Sequence, residues 1–376
     1  MHARCLVTPG LAALPMLAGP LAARQAVLEV KRDQPGEGAA IAAARAEAQR
    51  KLIEGAPGVG RAVTAALDWL KKHQDRDGHW SAAQFMARDS EEKCDGAGEA
   101  GADLQVTALA LLAFQADGNT LRAGAHRSVI QVAVKWLMEQ QREGGQFGLA
   151  TPGDQALATW AMGEAARLGE YRPIKHVVEQ AGSFLLGQRL ANGAFADGRG
   201  AADPVATALA MRAFLAVGMD REKDLSPTLQ WLGVATDAGG RFAAAKPRVG
   251  KAAPETAIAA GVLARLLCGS KKDDSRVING IEELQTRMPR WDAAAGTIDA
   301  TCWLLGSEAV YRVGGPYWQL WWQKLGDALV KGQRSDGRFA GSWDPCGPGS
   351  AHGGRVWMTA SLVLALTTPF RLVQSK

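Results

Sequence analysis

Apolar residues along the chain fall into two alternating kinds of segment. Residues 61–75 and 126–142 carry apolar side chains on one face only, at the three-and-four spacing of a half-exposed helix. The stretch 205–217 is apolar on nearly every side, with Arg212 its one charge. A half-exposed helix followed by an enclosed one, over and over, predicts helical hairpins in two layers with the enclosed helices inside. The enclosed segments open on Asp103, Asp154, Asp203, Glu255 and Asp299, where an acid complements the helix dipole. They end in turns at Gly118, Gly169, Gly218, Gly269 and Gly314-Gly315, where glycine can supply a left-handed cap. No segment alternates convincingly as a strand.

The half-exposed helices end in a recurring motif: Trp69-Leu70, Gln74, Gly78, Trp80; Trp136-Leu137, Gln141, Gly145, Phe147; Phe184-Leu185, Gln188, Gly193, Phe195; Trp231-Leu232, Thr236, Gly240, Phe242; and Ala328-Leu329, Gln333, Gly337, Phe339. Its glycines are spaced by 67, 48, 47 and 97 residues. The last spacing is about two periods, which predicts a degenerate copy near 288 on Leu284, Gln285 and Trp291; the first implies an insertion between Ser81 and Ala102. Six units result. In each, the glutamine can tie off the outer helix, the glycine allows a positive φ, and the aromatic packs back over the hairpin.

The run Leu70-x-x-x-Gln74-x-x-x-Gly78-His79-Trp80 resembles the glutamine-and-tryptophan repeat of the squalene cyclase and protein prenyltransferase superfamily, also called the prenyltransferase and squalene oxidase repeat. Asp299 to Gly315, Gly341-Ser342-Trp343-Asp344-Pro345 and Gly353-Gly354-Arg355-Val356-Trp357 are similar to an uncharacterised bacterial branch of it. The resemblance implies an all-α protein, an α/α toroid of about six hairpins over residues 60–370. A helical extension is expected over 27–59, with its helix around 39–54. Residues 1–26 read as a signal peptide, which would make the protein exported to the periplasm or outside the cell, or else as a disordered leader of a cytoplasmic protein. Val356 to Leu366 is too short to span a bilayer, so no integral membrane segment is expected after the leader.

Composition narrows the function classes. Apolar residues make up 47% and charged residues 22%, ordinary values for a globular chain. A net charge of +5 over 376 residues is too dilute for a nucleic-acid partner. Cys5, Cys94, Cys268, Cys302 and Cys346 lie far apart without a C-x-x-C pair. Twelve Trp against three Tyr point to a recurring structural or binding position, and Trp318, Trp321 and Trp322 share one helix face.

The resemblance also brings chemistry to test. Cyclases of the superfamily protonate an alkene from the middle aspartate of an Asp-x-Asp-Asp motif followed by Thr-Ala, a step that needs a strong acid in a dry cavity. Here the matching runs begin at Asp203 and Asp103, and the donor position holds Val205 or Gln105, so squalene cyclisation is not expected. Prenyltransferases use zinc held by Asp, Cys and His. Asp344, Cys346 and His352 supply those types but within one loop, which reads as a surface turn, and no metal or cofactor is expected. His73 and His79 read as solvent-facing.

Glu308 and Arg355 sit in otherwise apolar helices, where a charge needs a partner or a wet cavity. With Asp299, Trp303, Trp343 and Asp344 they form the candidate ligand site, either holding each other or fixing the polar end of an apolar ligand. Two readings of the function follow: a non-catalytic toroid binding an apolar, isoprenoid-like lipid or a polypeptide, or a divergent enzyme of the cyclase and prenyltransferase type acting on an isoprenoid. No catalytic residue is assigned.

Overall fold

The computed structural model describes residues 36–90, 92–219, 221–238, 240–242 and 253–372; the expected leader at 1–26, the start of the extension and Cys5 lie outside the described residues. After α1 (Glu37–Gly55), outer and inner helices alternate: α2 (Pro57–Lys72) and α3 (Asp103–Ala116), α4 (Arg127–Gln140) and α5 (Pro152–Gly169), α6 (Lys175–Gly187) and α7 (Pro204–Ala216). The order continues with α8 (Arg221–Ala235) and α9 (Pro254–Leu267), α10 (Ser275–Gln285) and α11 (Ala300–Val313), α12 (Gly315–Gly332) and α13 (Ser350–Leu366), and a last turn, α14 (Thr368–Arg371). Each inner helix packs on the next, and α13 packs back on α3, so the ring closes. The fold is an all-α toroid. Among the described residues the sheet is confined to one loop ribbon, Phe195–Ala196 against Ala202–Asp203.

The inner helices are built from alanine and leucine because they are enclosed on all sides. In α3 and α7 nearly every residue is buried, and small residues such as Ala108, Ala110, Ala208 and Ala210 let neighbouring backbones approach. The acids that open them take different parts. Asp203 and Asp299 are true N-caps, accepting from the N–H groups of Ala206 and Cys302. On α5 the cap is Thr151, and Asp154 sits in the first turn. Asp103 instead accepts from Ala82 N–H at 2.8 Å and anchors the insertion. At the end of α5 the left-handed residue is Glu170 (φ 46°), not the expected Gly169. Its carboxylate accepts from Gly38 N–H at 2.7 Å, satisfying a free donor in the first turn of α1.

The turn motif stitches neighbouring hairpins rather than closing its own helix. Gln74 donates from Nε2 to Gly78 O (2.9 Å) and to Val129 O of α4 (3.1 Å). Gln141 reaches Val177 O of α6 (2.8 Å), and Gln285 reaches Tyr317 O of α12 (3.4 Å). Gln333 reaches Ala62 O of α2 (2.8 Å), the same bond made across the seam where the ring closes. A Cβ on Gly78, Gly145 or Gly193 would lie 2.2 Å from a carbonyl of the next outer helix, so only glycine fits. In the last unit that role belongs to Gly341, whose Cβ would meet Ala65 O at 2.2 Å, and not to Gly337, around which there is open space. Four extra residues in this turn displace the motif. Trp343, not Phe339, takes the aromatic position: its Nε1 donates to Leu329 O (2.9 Å) as Trp80 Nε1 donates to Leu70 O (2.6 Å).

Candidate functional site

Since every inner helix follows an antiparallel outer one, all six run the same way, and the ring has one mouth at their N-termini and another at their C-termini. On the N-terminal side an axial cavity of about 170 Å³ opens between α3, α5, α7, α11 and α13. Its wall is mostly apolar, with Leu109, Leu157, Leu209, Leu305 and Trp357, and Gln105, Val205 and Thr301 stand at the rim. The two positions where the resemblance would put a proton donor therefore do face the cavity, and they carry Gln105 and Val205. Among the described residues lining it, His352 is the one ionisable side chain; its Nδ1 is 2.8 Å from Glu99 Oε2. Gln105 is held by a bond from its Nε2 to Asp154 (3.1 Å).

None of the six candidate residues lines this cavity, and the structure distributes them over five places. Asp299 caps α11, and burial pushes its carboxyl above the usual range, against the hydrogen bonds from Cys302 N–H and the Thr256 hydroxyl. Trp303 packs near Trp291 with ring centres 6.3 Å apart, and Trp343 is the staple described above. Glu308 lies near the C-terminal mouth, whereas Arg355 lies at the start of α13, so the two do not hold each other.

Arg355 and Asp344 instead fasten the seam. The buried guanidinium donates to Asp95 O (2.9 Å) and Ser342 Oγ (3.1 Å), pairs with Asp344 (2.7 Å) and with the Asp95 carboxylate, and lies 4.6 Å above the Phe339 ring. Gly354 (φ 64°) kinks α13 there, and only glycine fits, because a Cβ would strike Gly98 N at 2.4 Å where the insertion backbone crosses. The loop acid, thiol and imidazole of Asp344, Cys346 and His352 do not converge: Asp344 is taken by Arg334 and Arg355, and His352 by Glu99. The tryptophans of α12 do not line the axial cavity. Trp321 is core, donating to Ser307 Oγ (2.9 Å), and Trp318 stacks on Trp322 at 5.3 Å.

At the C-terminal mouth α1 and α14 lie across the ring and complete a buried cluster of charges. Glu164 meets Arg45 (3.3 Å), Arg167 (2.8 Å) and Arg212 (3.8 Å); Glu308 meets Arg212 (3.4 Å), Arg312 (2.7 Å) and Arg371 (2.9 Å). Burial opposes ionisation of Glu164, but Arg45, Arg167 and Arg212 outweigh it and hold the carboxyl at about 2. Burial likewise opposes Glu308, and Arg212, Arg371 and Arg312 hold it well below the carboxylate range. Arg212 and Arg371 also lie over the Trp160 ring, at 5.0 and 5.4 Å.

A third polar group escaped the sequence reading. His73, expected to face water, is fully enclosed because the insertion between Ser81 and Ala102 folds over the end of α2. It lies against Asp89 and Cys94 of that insertion, the one group of potential metal ligands among the described residues. Burial pushes the Cys94 thiol up to about 12, and Asp89 adds to the effect. His79 is half-buried, stacked on Trp136 at 5.3 Å. The residue types were visible in the chain, but 16 and 5 residues of separation across an irregular loop carry no ligand spacing that announces them.

No family model matches the chain, and no curated protein matches it. Among solved structures, a variant of the type II terpene cyclase MstE from Scytonema, in complex with geranylgeranyl dihydroxybenzoate, is similar with TM-score 0.57 and 15% identity, over 84% of this chain and 98% of that one. A protein from Actinoplanes is similar with TM-score 0.56 and 15% identity, over 82% and 99%. A novel alpha-amylase from Clostridium perfringens reaches TM-score 0.55 at 12% identity, over 82% and 97%. These likenesses establish a terpene-cyclase-like helical fold. A cyclase and an amylase on one architecture leave the chemistry to the site. No helix among the described residues is long and apolar enough to cross a membrane.

Proposed function

We propose that the chain is a binding toroid that takes the end of an apolar lipid chain, of isoprenoid type, into its axial cavity without cyclising it. The observation that carries this reading is the cavity wall: leucines and Trp357 around the axis, with Gln105 and Val205 where alkene protonation would need a carboxylic acid. Size supports an end-on mode. A cavity of about 170 Å³ is below the roughly 300–1,000 Å³ of sites that swallow a drug-sized ligand whole. The remainder of a long chain would lie at the mouth, where Gln105 and His352 can meet a polar head. The MstE complex, with a geranylgeranyl-bearing substrate in a related fold, supports the ligand class.

Native mass spectrometry of the full chain with geranylgeraniol tests the proposal. One equivalent should be retained unchanged, and Leu305→Trp, which fills the cavity, should weaken retention at least tenfold while the helical circular dichroism stays the same. No retention by the wild type, retention indifferent to Leu305→Trp, or conversion to a cyclised product would overturn it.

A further inference from the structure

We propose that His73, Asp89 and Cys94 form a zinc site that clips the insertion between Ser81 and Ala102 to the end of α2. His73 Nδ1 lies 2.7 Å from Trp69 O, and a carbonyl can only accept, so the ring proton sits on Nδ1. Nε2 then presents a bare lone pair, and what it faces is a carboxylate oxygen, Asp89 Oδ1, at 3.2 Å. Two acceptors this close repel unless a cation lies between them or the ring takes a second proton. Burial works against the imidazolium, although the Trp69 carbonyl and Asp89 favour it. The carboxylate keeps its charge: Oδ2 accepts from Cys94 N–H at 2.8 Å, and Lys72 Nζ approaches Oδ1 at 3.2 Å. The third donor, Cys94 Sγ, is 3.9 Å from Nε2 and can give its own proton to Arg338 O at 3.4 Å.

The shape of this group is that of a metal site. Zinc bonds of about 2.0–2.2 Å to N and O and about 2.3 Å to S place tetrahedral ligands roughly 3.3–3.6 Å apart. The Nε2–Oδ1 edge of 3.2 Å already matches, the Nε2–Sγ edge of 3.9 Å needs a slight closure, and all three donor atoms lie within 4.8 Å of one another. An imidazole whose far N–H is fixed by a backbone carbonyl is the usual second-shell arrangement of a metal-bound histidine. A mixed N, O and S set favours zinc over magnesium or calcium, which take oxygen ligands. A cleft of about 270 Å³ borders the group at Asp89, lined by Lys72, Ser90, Glu92 and Arg338, and offers the ion and a water ligand a way in. On binding, Cys94 loses its thiol proton to solvent as the S–Zn bond forms. The site lies on the outer layer of the ring, away from the axial cavity, and is independent of the ligand-binding proposal.

Elemental analysis of the full-length protein, dialysed after incubation with zinc, should give one zinc per chain, lost to a strong chelator with a fall in melting temperature. Cobalt(II) loaded into the stripped protein should show a thiolate-to-cobalt charge-transfer band. Cys94→Ser should abolish the band and weaken metal binding at least tenfold. Cys5→Ser/Cys346→Ser, which leaves Cys94 in place, should keep both, and decides the matter should Cys94→Ser not fold. No zinc in the folded wild type, no thiolate band, a band lost in the double variant, or zinc held unchanged by a folded Cys94→Ser would overturn the site in favour of a plain imidazolium–carboxylate pair.

Discussion

The two mouths of the ring use polar residues in opposite ways. At the N-terminal mouth the polar side chains stand at a rim: Gln105 and His352 border a cavity of leucines, each with one partner. At the C-terminal mouth Glu164 and Glu308 are buried beneath α1 and α14 among five arginines, and Glu164 and the arginines line a polar cavity of about 400 Å³. A buried charge stripped of its partner is far more costly than an exposed one. The C-terminal end should therefore govern stability and the N-terminal end binding, although both lie at the ends of the same six helices.

The sharpest way to break this comparison is Glu308→Gln, which takes the paired carboxylate from Arg312 and Arg371 and leaves Arg212 only its 3.8 Å approach to Glu164. Urea denaturation should show a loss of about 3–5 kcal/mol, with geranylgeraniol retention unchanged in the folded fraction. The same cluster sets a pH dependence. Arginines hold Glu164 at about 2 in the fold, against about 4.3 in the unfolded chain. Its contribution is complete above about pH 5 and is lost as the pH falls toward about 2, so the urea midpoint should drop below about pH 5. Glu164→Gln should flatten the drop.

Arg355→Met comes next, at about 1–3 kcal/mol for the hydrogen bonds lost at the seam. Its distinguishing effect is local: residues 81–102 should become protease-sensitive before the ring unfolds, read by limited proteolysis. The smallest stability effect belongs to Gln105→Leu, about 1 kcal/mol or less for one rim hydrogen bond. It should nevertheless change geranylgeraniol affinity by more than Glu308→Gln does. Equal effects of the two variants on stability and on retention would erase the distinction between the mouths.

The fold was legible because its signals are local. Gln74, Gly78 and Trp80 sit within one turn, and the clash that excludes a Cβ at Gly78 recurs at Gly145 and Gly193, so spacing alone reveals the period. The last unit misled for the same reason: Gly337 has the right spacing, but a longer turn hands the close approach to Gly341. Side-chain partnerships were less legible because they depend on which ends of distant helices meet. Glu308 is in the third turn of α11 and Arg355 at the first kink of α13, so two charges that look alike in sequence belong to opposite mouths. His73 reads as exposed until the insertion is laid over it, and nothing in the run from Ser81 to Ala102 says which way that loop folds.

Closure of the ring, carried by the bond from Gln333 to Ala62 and by α13 against α3, changes how the protein can come apart. In an open solenoid an end unit holds on through one neighbour and can fray by itself. Here every hairpin has two neighbours, so releasing any one of them breaks two interfaces at once and turns the remainder into an arc with raw ends. Partial unfolding is thereby penalised at every position alike, and hydrogen exchange in the six inner helices should fall into one slow class, with no gradient from the first hairpin to the last.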